Sequence, residues 1–454
     1  MPLQSINPTT EEVVATYTEL SDGDVDTKLA RAEEAFGVWK RTSFAQRKEK
    51  MLRLAQLLKQ NGREIGMIAT QEMGKPIIQA KAEVEKCAWV CEYYAENAEQ
   101  ILAHEVVATD ASESYVQFDP IGVVLAVMPW NFPFWQVIRF IAPAAMAGNV
   151  GVLKHASNVQ GCATKIEELF LQAGFPEGIF QNLAIGAAKV ERVIQDSRVK
   201  AVTLTGSEYA GSQVAMHAGK EIKKTVLELG GSDPFIVLED ADLDPAVQTA
   251  LMARLQNCGQ SCIAAKRLIL VESIADEFLS RLKTIFESAK IGDPAADDTA
   301  IGPLVNEQSL QTIEDQVQRS LAAGATLVTG GKRVGDRGFF YAPTILSGIK
   351  KGMPTYSEEV FGPVFSAIVV KGAEEAIAVA NDTSFGLGAS VWTQNREKAK
   401  KMTQEIESGC VFINGMVKSD PRLPFGGAKR SGYGRELSHY GIKEFVNIKT
   451  VWIK

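Results

Sequence analysis

The sequence predicts an α/β protein with two domains and a smaller appendage. Short β-branched runs alternate with segments of helical periodicity, a pattern typical of an open sheet covered by helices. The run Gly122–Val127 is continuous enough to lie buried on both faces of a parallel sheet. The alternation begins afresh beyond Ala241, and 454 residues exceed what one hydrophobic core ordinarily holds. A second α/β domain is therefore expected.

The predicted elements follow one another in three groups. Apolar residues at helical spacing predict helices over residues 24–103, and the alternating stretch 108–120 predicts exposed strands. The first sheet is predicted to contain strands at Gly122–Val127, Val150–Leu153, Ala201–Leu204, Thr225–Leu227 and Phe235–Leu238. Helices are predicted between them at Ala163–Ala173 and Ala187–Gln195. Later strands are predicted at Leu268–Val271, Ile301, Thr326–Val328, Phe365–Val370 and, at the C-terminus, Phe445–Ile453.

Composition narrows the function classes. Hydrophobic residues make up 46% and charged residues 23%, the balance of a soluble globular protein. The net charge of −7 comes without a basic cluster, so no nucleic-acid or membrane partner is expected. The N-terminus lacks the pattern of a signal peptide. Six cysteines form no CxxC pair and four histidines are scattered, which favours reduced cytoplasmic thiols and no metal site.

The segment NCGQSC at 257–262 contains a candidate nucleophile, Cys262. Gly259 permits a tight backbone path, so the N–H beside Cys262 could point at an attacked carbonyl oxygen. A structural cysteine is the alternative. Cys258, four residues earlier, allows either a reversible disulfide with Cys262 or a buried small residue.

Two strand ends supply possible partners for a nucleophile. Asn131 in MPWNFP follows the strand Gly122–Val127, at the edge where open α/β sheets bind ligands. Its amide could donate to an oxyanion or merely cap a turn. Glu228 begins ELGG, and a carboxylate beside two glycines could act as a general base or mark an ordinary turn.

A third strand end predicts a phosphate site. The segment GSEYAG at 206–211 opens a helix directly after the strand Ala201–Leu204, and a helix start of this kind can seat a pyrophosphate. The GxGxxG fingerprint of standard dinucleotide sites follows none of the predicted strands.

Together these motifs resemble the aldehyde dehydrogenase superfamily. PWNFP, GSEYAG, ELGG and NCGQSC are joined by EEVFGP at 358–363 and PFGGAKRSGYGRE at 424–436, in the order and approximate spacing of that superfamily. The resemblance covers essentially the whole chain. In its extent and tail the sequence is most similar to the shorter bacterial succinate-semialdehyde dehydrogenases.

The resemblance implies the aldehyde dehydrogenase fold. A cofactor domain with a five-stranded Rossmann-like sheet would comprise residues 1–107 and 122–229. An α/β catalytic domain would span residues 230–430. A β oligomerisation arm would combine residues 108–121 and 431–454, joining subunits into a homodimer or homotetramer.

The resemblance also implies roles at the reacting centre. Cys262 would attack the aldehyde, with the oxyanion held by the Asn131 amide and the Cys262 N–H. After hydride transfer to the nicotinamide, water activated by Glu228 would hydrolyse the thioester. Two alternative functions are a CoA-acylating aldehyde dehydrogenase, which needs no hydrolytic base such as Glu228, and a binding protein without catalytic activity.

The implied cofactor is NADP+, with some use of NAD+. In NAD-preferring relatives the residue matching Ser157 is usually Glu, which would repel a 2′-phosphate; tolerance of both cofactors is the alternative. Lys154 resembles the adenosine-ribose lysine, and Glu359 the residue at the nicotinamide ribose. The implied cofactor-binding set is Trp130, Lys154, Ser157, Gly206, Ser207, Gly211, Leu229, Glu359 and Phe361.

The implied substrate is succinic semialdehyde. Arg139 matches an arginine that binds its carboxylate, and Ser419 lies near the position of a carboxylate-binding serine. A second arginine of many such enzymes is replaced by Gln256, which suggests a different carboxylate clamp or a broader range of short aldehydes. A solvated or ion-paired Arg139 is the alternative. The implied apolar walls are Phe132, Trp135 and Phe425.

Overall fold

The computed structural model describes residues 3–454. An antiparallel hairpin and four helices come first: β1 (Leu3–Ile6), β2 (Val13–Tyr17), α1 (Asp22–Trp39), α2 (Phe44–Gln60), α3 (Gly62–Met73) and α4 (Ile77–Ile101). The side chains of Ser21 and Ser43 cap α1 and α2 in capping boxes. The helical prediction over residues 24–103 is confirmed.

The next elements build the first large sheet. They are β3 (Glu105–Val106), β4 (Glu113–Pro120), β5 (Val123–Met128), α5 (Trp135–Ala147), β6 (Val150–His155), α6 (Gln160–Gln172), β7 (Phe180–Asn182), α7 (Val190–Gln195), β8 (Val199–Thr205), α8 (Glu208–Lys220) and β9 (Lys224–Glu228). Strands β5 to β9 are parallel neighbours in the order β9-β8-β5-β6-β7. Because the chain leaves β5 toward β6 and later returns on its other side to β8, the strand order reverses between β5 and β8. Ligands of open α/β sheets bind at such a point.

The second large sheet is built from the elements that follow. They are β10 (Asp233–Val237), α9 (Leu243–Leu255), β11 (Ala265–Val271), α10 (Glu272–Glu287), α11 (Glu307–Ala322), β12 (Thr326–Thr329), β13 (Thr344–Ser347), α12 (Pro354–Ser357), β14 (Val364–Val370), α13 (Ala373–Asn381), β15 (Gly388–Trp392), α14 (Arg396–Glu405) and β16 (Cys410–Ile413). The strand order is β12-β13-β14-β11-β10-β15-β16, with only the β12–β13 pair antiparallel. Alternate residues of β10 pack into separate core clusters on the two faces.

Three short elements end the chain: β17 (Gly432–Tyr433), α15 (Ser438–Lys443) and β18 (Val446–Ile453). Strand β17 adds an antiparallel sixth strand beside β9, although it lies in the segment predicted for the arm. Strand β18 pairs with β4 along its whole length, and β3 completes this separate three-stranded sheet.

The α/β fold class is confirmed, with two local corrections. The second sheet begins at β10, before Ala241, because a buried parallel strand has the same sequence pattern in either sheet. The strand predicted at Ile301 is wrong: Ile301 makes one isolated bridge to Ile291. The chain turns at once through Gly302 and Pro303, and proline has no N–H to continue a ladder. Within residues 3–454, every helix is too short or too polar to cross a membrane.

Candidate active site

The candidate site lies at the carboxyl ends of β5, β8 and β9, facing the loop before β11. Two cavities meet there. One of about 220 Å³ is lined by residues that follow β5, β8 and β9. The other, of about 380 Å³, lies between α4, α5 and the segment 416–425. Cys262 and Gln136 line both cavities. A group on Cys262 can therefore contact ligands that enter from either side.

The loop that carries Cys262 has a tightly constrained backbone. Asn257, Cys258 and Gly259 all have positive φ, at 53°, 56° and 75°. A Cβ on Gly259 would lie 2.2 Å from the Gly362 carbonyl oxygen, so only glycine is accommodated. The buried guanidinium of Arg254 donates to the Gly259 carbonyl at 2.6 Å. Strain of this kind persists only where surrounding contacts enforce it.

Asn131 is held with its amide in one orientation. Its Nδ2 donates to the Gln260 carbonyl at 3.1 Å, and its Oδ1 accepts from Gln136 Nε2 at 3.0 Å. Asn257 Nδ2 donates to the Asn131 carbonyl at 2.8 Å. The amino end of Asn131 thus faces the loop of Cys262 and has a second hydrogen to donate to an oxyanion. The Cys262 N–H has no hydrogen-bond acceptor within residues 3–454.

The surroundings of the Cys262 thiol disfavour its ionisation. Burial raises its pKa to about 12, against the opposing charges of Lys266 and Arg139. Lys266 is itself buried, and its Nζ donates to the Ser261 carbonyl at 2.7 Å and to the Cys262 carbonyl. Attack on an aldehyde therefore requires a base to accept the thiol proton.

Glu228 is suited to accept a proton. It is 2% exposed, and neither carboxyl oxygen has a hydrogen-bond partner within residues 3–454. Burial raises its pKa to about 8, and the charge of Glu436 adds to the rise, whereas Arg139 and Arg435 oppose it. A base with a pKa near the working pH transfers protons efficiently in both directions.

Glu436 was not singled out from the sequence, although it ends the motif PFGGAKRSGYGRE. It forms a buried ion pair with Arg139, whose guanidinium also lies 4.9 Å from the centre of the Phe425 ring. The pairing of β17 with β9 brings this segment beside Glu228. Arg139 thus lines the larger cavity as predicted, but its charge is compensated by Glu436.

The smaller cavity is suited to a nicotinamide dinucleotide. Most of the predicted cofactor residues line it, namely Trp130, Gly206, Ser207, Leu229, Glu359 and Phe361. The rings of Trp130 and Phe361 meet edge to face at 5.9 Å. Ser207 caps α8 by accepting from the Ala210 N–H, so the positive end of that helix faces the cavity.

Two further contacts hold the walls of this cavity. Glu359 Oε1 accepts from the Gly231 N–H at 2.9 Å and lies 3.5 Å from Lys266 Nζ. A Cβ on Gly211 would lie 2.6 Å from the Leu229 side chain, so glycine lets α8 approach this wall closely. An aromatic pair, a helix start and a partly exposed carboxylate match the ring, pyrophosphate and ribose of a dinucleotide.

Lys154 and Ser157 lie outside this cavity, at the end of β6 and in the turn after it. Ser157 is exposed. Lys154 makes neither an ion pair nor a side-chain hydrogen bond with residues 3–454, and burial lowers the pKa of its amine. An uncompensated amine and an exposed hydroxyl three residues apart can bind an anionic group.

The larger cavity brings together all the residues predicted to bind substrate. Its volume lies in the range of small-molecule sites. Two polar residues that line it, Lys86 of α4 and Gln136 of α5, were not among the predicted residues. Neither has a local motif: helical periodicity alone does not show which helix packs over a site. The predicted residues lining it are Phe132, Trp135, Arg139, Ser419 and Phe425.

Cys258 lies in the core of the second domain. Its thiol is buried and accepts from the Gly302 N–H at 3.1 Å. All six cysteines are unpaired. These contacts support a buried small residue at position 258, while the disulfide with Cys262 stays an untested prediction.

Comparison with known proteins agrees with this arrangement. The sequence pattern of the aldehyde dehydrogenase family matches residues 1–451. A Synechocystis sp. protein named "Probable succinate-semialdehyde dehydrogenase", with NADP(+), is 55% identical over 100% of both chains. "Succinate-semialdehyde dehydrogenase 1", with NADP(+), of Mycobacterium tuberculosis is 51% identical over 100% of both chains. The crystal structure of succinic semialdehyde dehydrogenase from Streptococcus pyogenes with NADP+ superposes with a TM-score of 0.97, at 42% identity and 99% coverage of both chains. The chain belongs to the aldehyde dehydrogenase family.

Proposed function

We propose that the protein oxidises succinic semialdehyde to succinate with NADP+. The observation that carries this proposal is the position of Cys262 where two cavities meet, one shaped for a dinucleotide and one with Arg139 and Ser419 in its wall. The larger cavity combines these polar groups with aromatic walls, which suits a short chain ending in a carboxylate. The names of the relatives in Synechocystis, Mycobacterium and Streptococcus support the same substrate and cofactor.

The reaction begins at sulfur. As the Cys262 thiol attacks the aldehyde carbon, its proton passes to a base. We assign that role to Glu228, a carboxylate without hydrogen-bond partners whose charge acts on the thiol. The charge that develops on the aldehyde oxygen is stabilised by Asn131 Nδ2 and the Cys262 N–H. The dinucleotide, when bound, supplies the hydride acceptor. Loss of hydride leaves a thioester on Cys262.

Hydrolysis completes the turnover. Glu228 first releases the thiol proton to solvent. It then takes a proton from water as the water attacks the thioester carbon, and the same two donors hold the second oxyanion. The C–S bond then breaks, succinate leaves, and the Cys262 thiol regains a proton. A carboxylate free of other hydrogen bonds can serve both proton transfers.

NADP+ is proposed as the preferred cofactor because of Lys154 and Ser157. A 2′-phosphate beside an amine and a hydroxyl gains charge-assisted hydrogen bonds. Replacing Ser157 with Glu places a negative charge there, so the ratio of kcat/KM with NADP+ to that with NAD+ should fall about tenfold or more in S157E. A ratio equal to that of the wild type would contradict this assignment.

The substrate is tested by a panel of aldehydes. Succinic semialdehyde is compared with butanal, which has the same chain length without the carboxylate, by following NADPH formation. The proposal predicts a kcat/KM at least about tenfold higher for succinic semialdehyde, because a hydrogen bond to a charged group contributes about 1.5–3 kcal/mol. Equal values for the two aldehydes would indicate a broad-range enzyme instead.

A homo-oligomer in the cytoplasm is also proposed. Strand β18 is an edge strand with Ile448, Trp452 and Ile453 exposed, and such an edge can pair with a second copy of the chain. The arm, residues 108–121 and 431–454, would then hold two subunits together. Each subunit consists of a cofactor domain (1–107 and 122–229) and a catalytic domain (230–430). Unpaired thiols agree with a reducing compartment.

A further inference from the structure

Helix α4 carries an amine into the wall of the larger cavity. Lys86 Nζ donates to Ser419 Oγ at 2.7 Å, and it lies 4.4 Å from the centre of the Trp135 ring. All three residues line the cavity that ends at Cys262. Lys86 is therefore held at the substrate side by the same serine that the sequence predicts as a carboxylate ligand.

The Lys86 amine makes no direct ion pair in the part of the chain that the structure describes. Within residues 3–454, Lys86 has no carboxylate oxygen within 4.0 Å, whereas the Arg139 guanidinium in the same wall is paired with Glu436. Burial lowers the pKa of the Lys86 amine to about 8; the charge of Arg139 adds to the fall, and the carboxylates of Asp420 and Glu83 oppose it. Gln256, which also faces the cavity, brings no charge. A partly buried cation without a partner is costly unless a ligand supplies the opposite charge.

We propose that Lys86 is a specificity-determining residue that binds the terminal carboxylate of the substrate together with Ser419. This inference rests on the proposed function. A carboxylate at Lys86 gains a charge-assisted hydrogen bond from the amine and a second one from the serine hydroxyl. Arg139 contributes to the same wall, but its guanidinium is already held in a buried ion pair with Glu436. Lys86 thus places an amine without an ion-pair partner beside Ser419, where Gln256 brings no charge; Lys418, exposed in the same wall, is a second cation.

The test compares K86M and K86R with the wild-type protein on succinic semialdehyde and butanal. Methionine keeps the length and the apolar stem but removes the charge, so kcat/KM for succinic semialdehyde should fall about 10- to 100-fold, mainly through KM. The value for butanal should stay within about twofold. K86R should retain most of the activity on succinic semialdehyde. Lys81 lies five residues earlier on α4 with an exposed side chain, so K81M is the matched control and should leave kcat/KM for both aldehydes unchanged.

A second measurement uses the product of the reaction as the ligand. Succinate should compete with succinic semialdehyde in the wild type, and its inhibition constant should rise in K86M by about the same factor. Equal losses on both aldehydes in K86M, or no loss on either, would overturn the role of Lys86. A wild-type protein that does not distinguish the two aldehydes would contradict the proposed function, whereas a preference kept in K86M contradicts only this inference.

Discussion

A buried ion pair beneath the loop of Asn131 yields a quantitative prediction. Lys75 and Glu83 form it with side chains 1% and 2% exposed. Glu83 Oε1 also accepts from the N–H groups of Phe134 and Trp135, both at 2.9 Å, where α5 begins. The Lys75 amine lies 3.9 Å from the centre of the Phe132 ring. The pair therefore fixes the start of α5 and the loop that leads into it.

Replacing Glu83 with Gln leaves the Lys75 charge buried without a partner. Breaking a buried pair in this way costs about 3–5 kcal/mol, and loss of a negative charge at a helix N-terminus adds up to about 2 kcal/mol. Because each kcal/mol lowers Tm by roughly 2–4 °C in domains of 150–250 residues, E83Q should melt on the order of 10 °C below the wild type. The Tm of K75M should fall less, because Glu83 still accepts from both N–H groups and its negative charge still lies at the N-terminus of α5.

The double variant K75M/E83Q distinguishes the ion pair from two independent contributions. Without either charge the desolvation cost disappears, so its Tm should lie well above the value expected by adding the two single losses. The Tm of the wild type and the three variants is measured by thermal unfolding, with tryptophan fluorescence as the signal. In E83Q, kcat should also fall about tenfold as Asn131 loses its fixed position, in line with the cost of misplacing a catalytic group. Strictly additive shifts in Tm would refute the reasoning.

Two further predictions concern the base and the nucleophile loop. The pH profile of kcat should rise with an apparent pKa of about 8, since Glu228 must be ionised to activate water, and E436Q should move that pKa downward by removing a negative neighbour. A kcat that does not change with pH on either side of about 8 would contradict this role. Gly259→Ala should abolish activity or folding, because its Cβ would meet the Gly362 oxygen at 2.2 Å. Gly348→Ala is its control: φ is a similar 68° but nothing lies within 4 Å, so it should cost only about 1–2 kcal/mol. Equal effects of the two glycine substitutions on Tm and activity would show that the close approach is unimportant.

Much of the fold could be predicted because its signals are local. Buried parallel strands have continuous β-branched runs, and the loops at their carboxyl ends have distinctive glycines, prolines and polar residues. Asn131, Glu228 and Gly206 each directly follow or end such a strand, so the topology brings them together. The strand pattern alone places the boundary between the two sheets too late, because β10 has the same pattern as the strands of the first sheet; the domain boundary at residue 230 that the resemblance implies precedes β10.

The missed residues depend on tertiary contacts. Glu436 reaches Glu228 only because β17 adds to the edge of the first sheet beside β9. Lys86 reaches Ser419 only because α4 packs over the cavity mouth, and a lysine on an amphipathic helix looks like any solvated residue. The compensated charge of Arg139 is likewise a property of the pair with Glu436. These contacts join segments that are far apart in the sequence and share no local motif.

The central claim is that catalysis proceeds through an acyl group on Cys262. In E228Q the thiol proton passes to water instead of a carboxylate, so the thioester should form more slowly than in the wild type. Its hydrolysis should slow more, because no carboxylate is present to activate water. Rapid mixing of E228Q with NADP+ and succinic semialdehyde, followed by acid quench and peptide mass spectrometry, measures this directly. The account predicts a burst of NADPH close to one per active site and a succinyl group on the Cys262 peptide, with neither in C262A/E228Q. Sustained turnover without a burst, or an adduct on another cysteine, would contradict it.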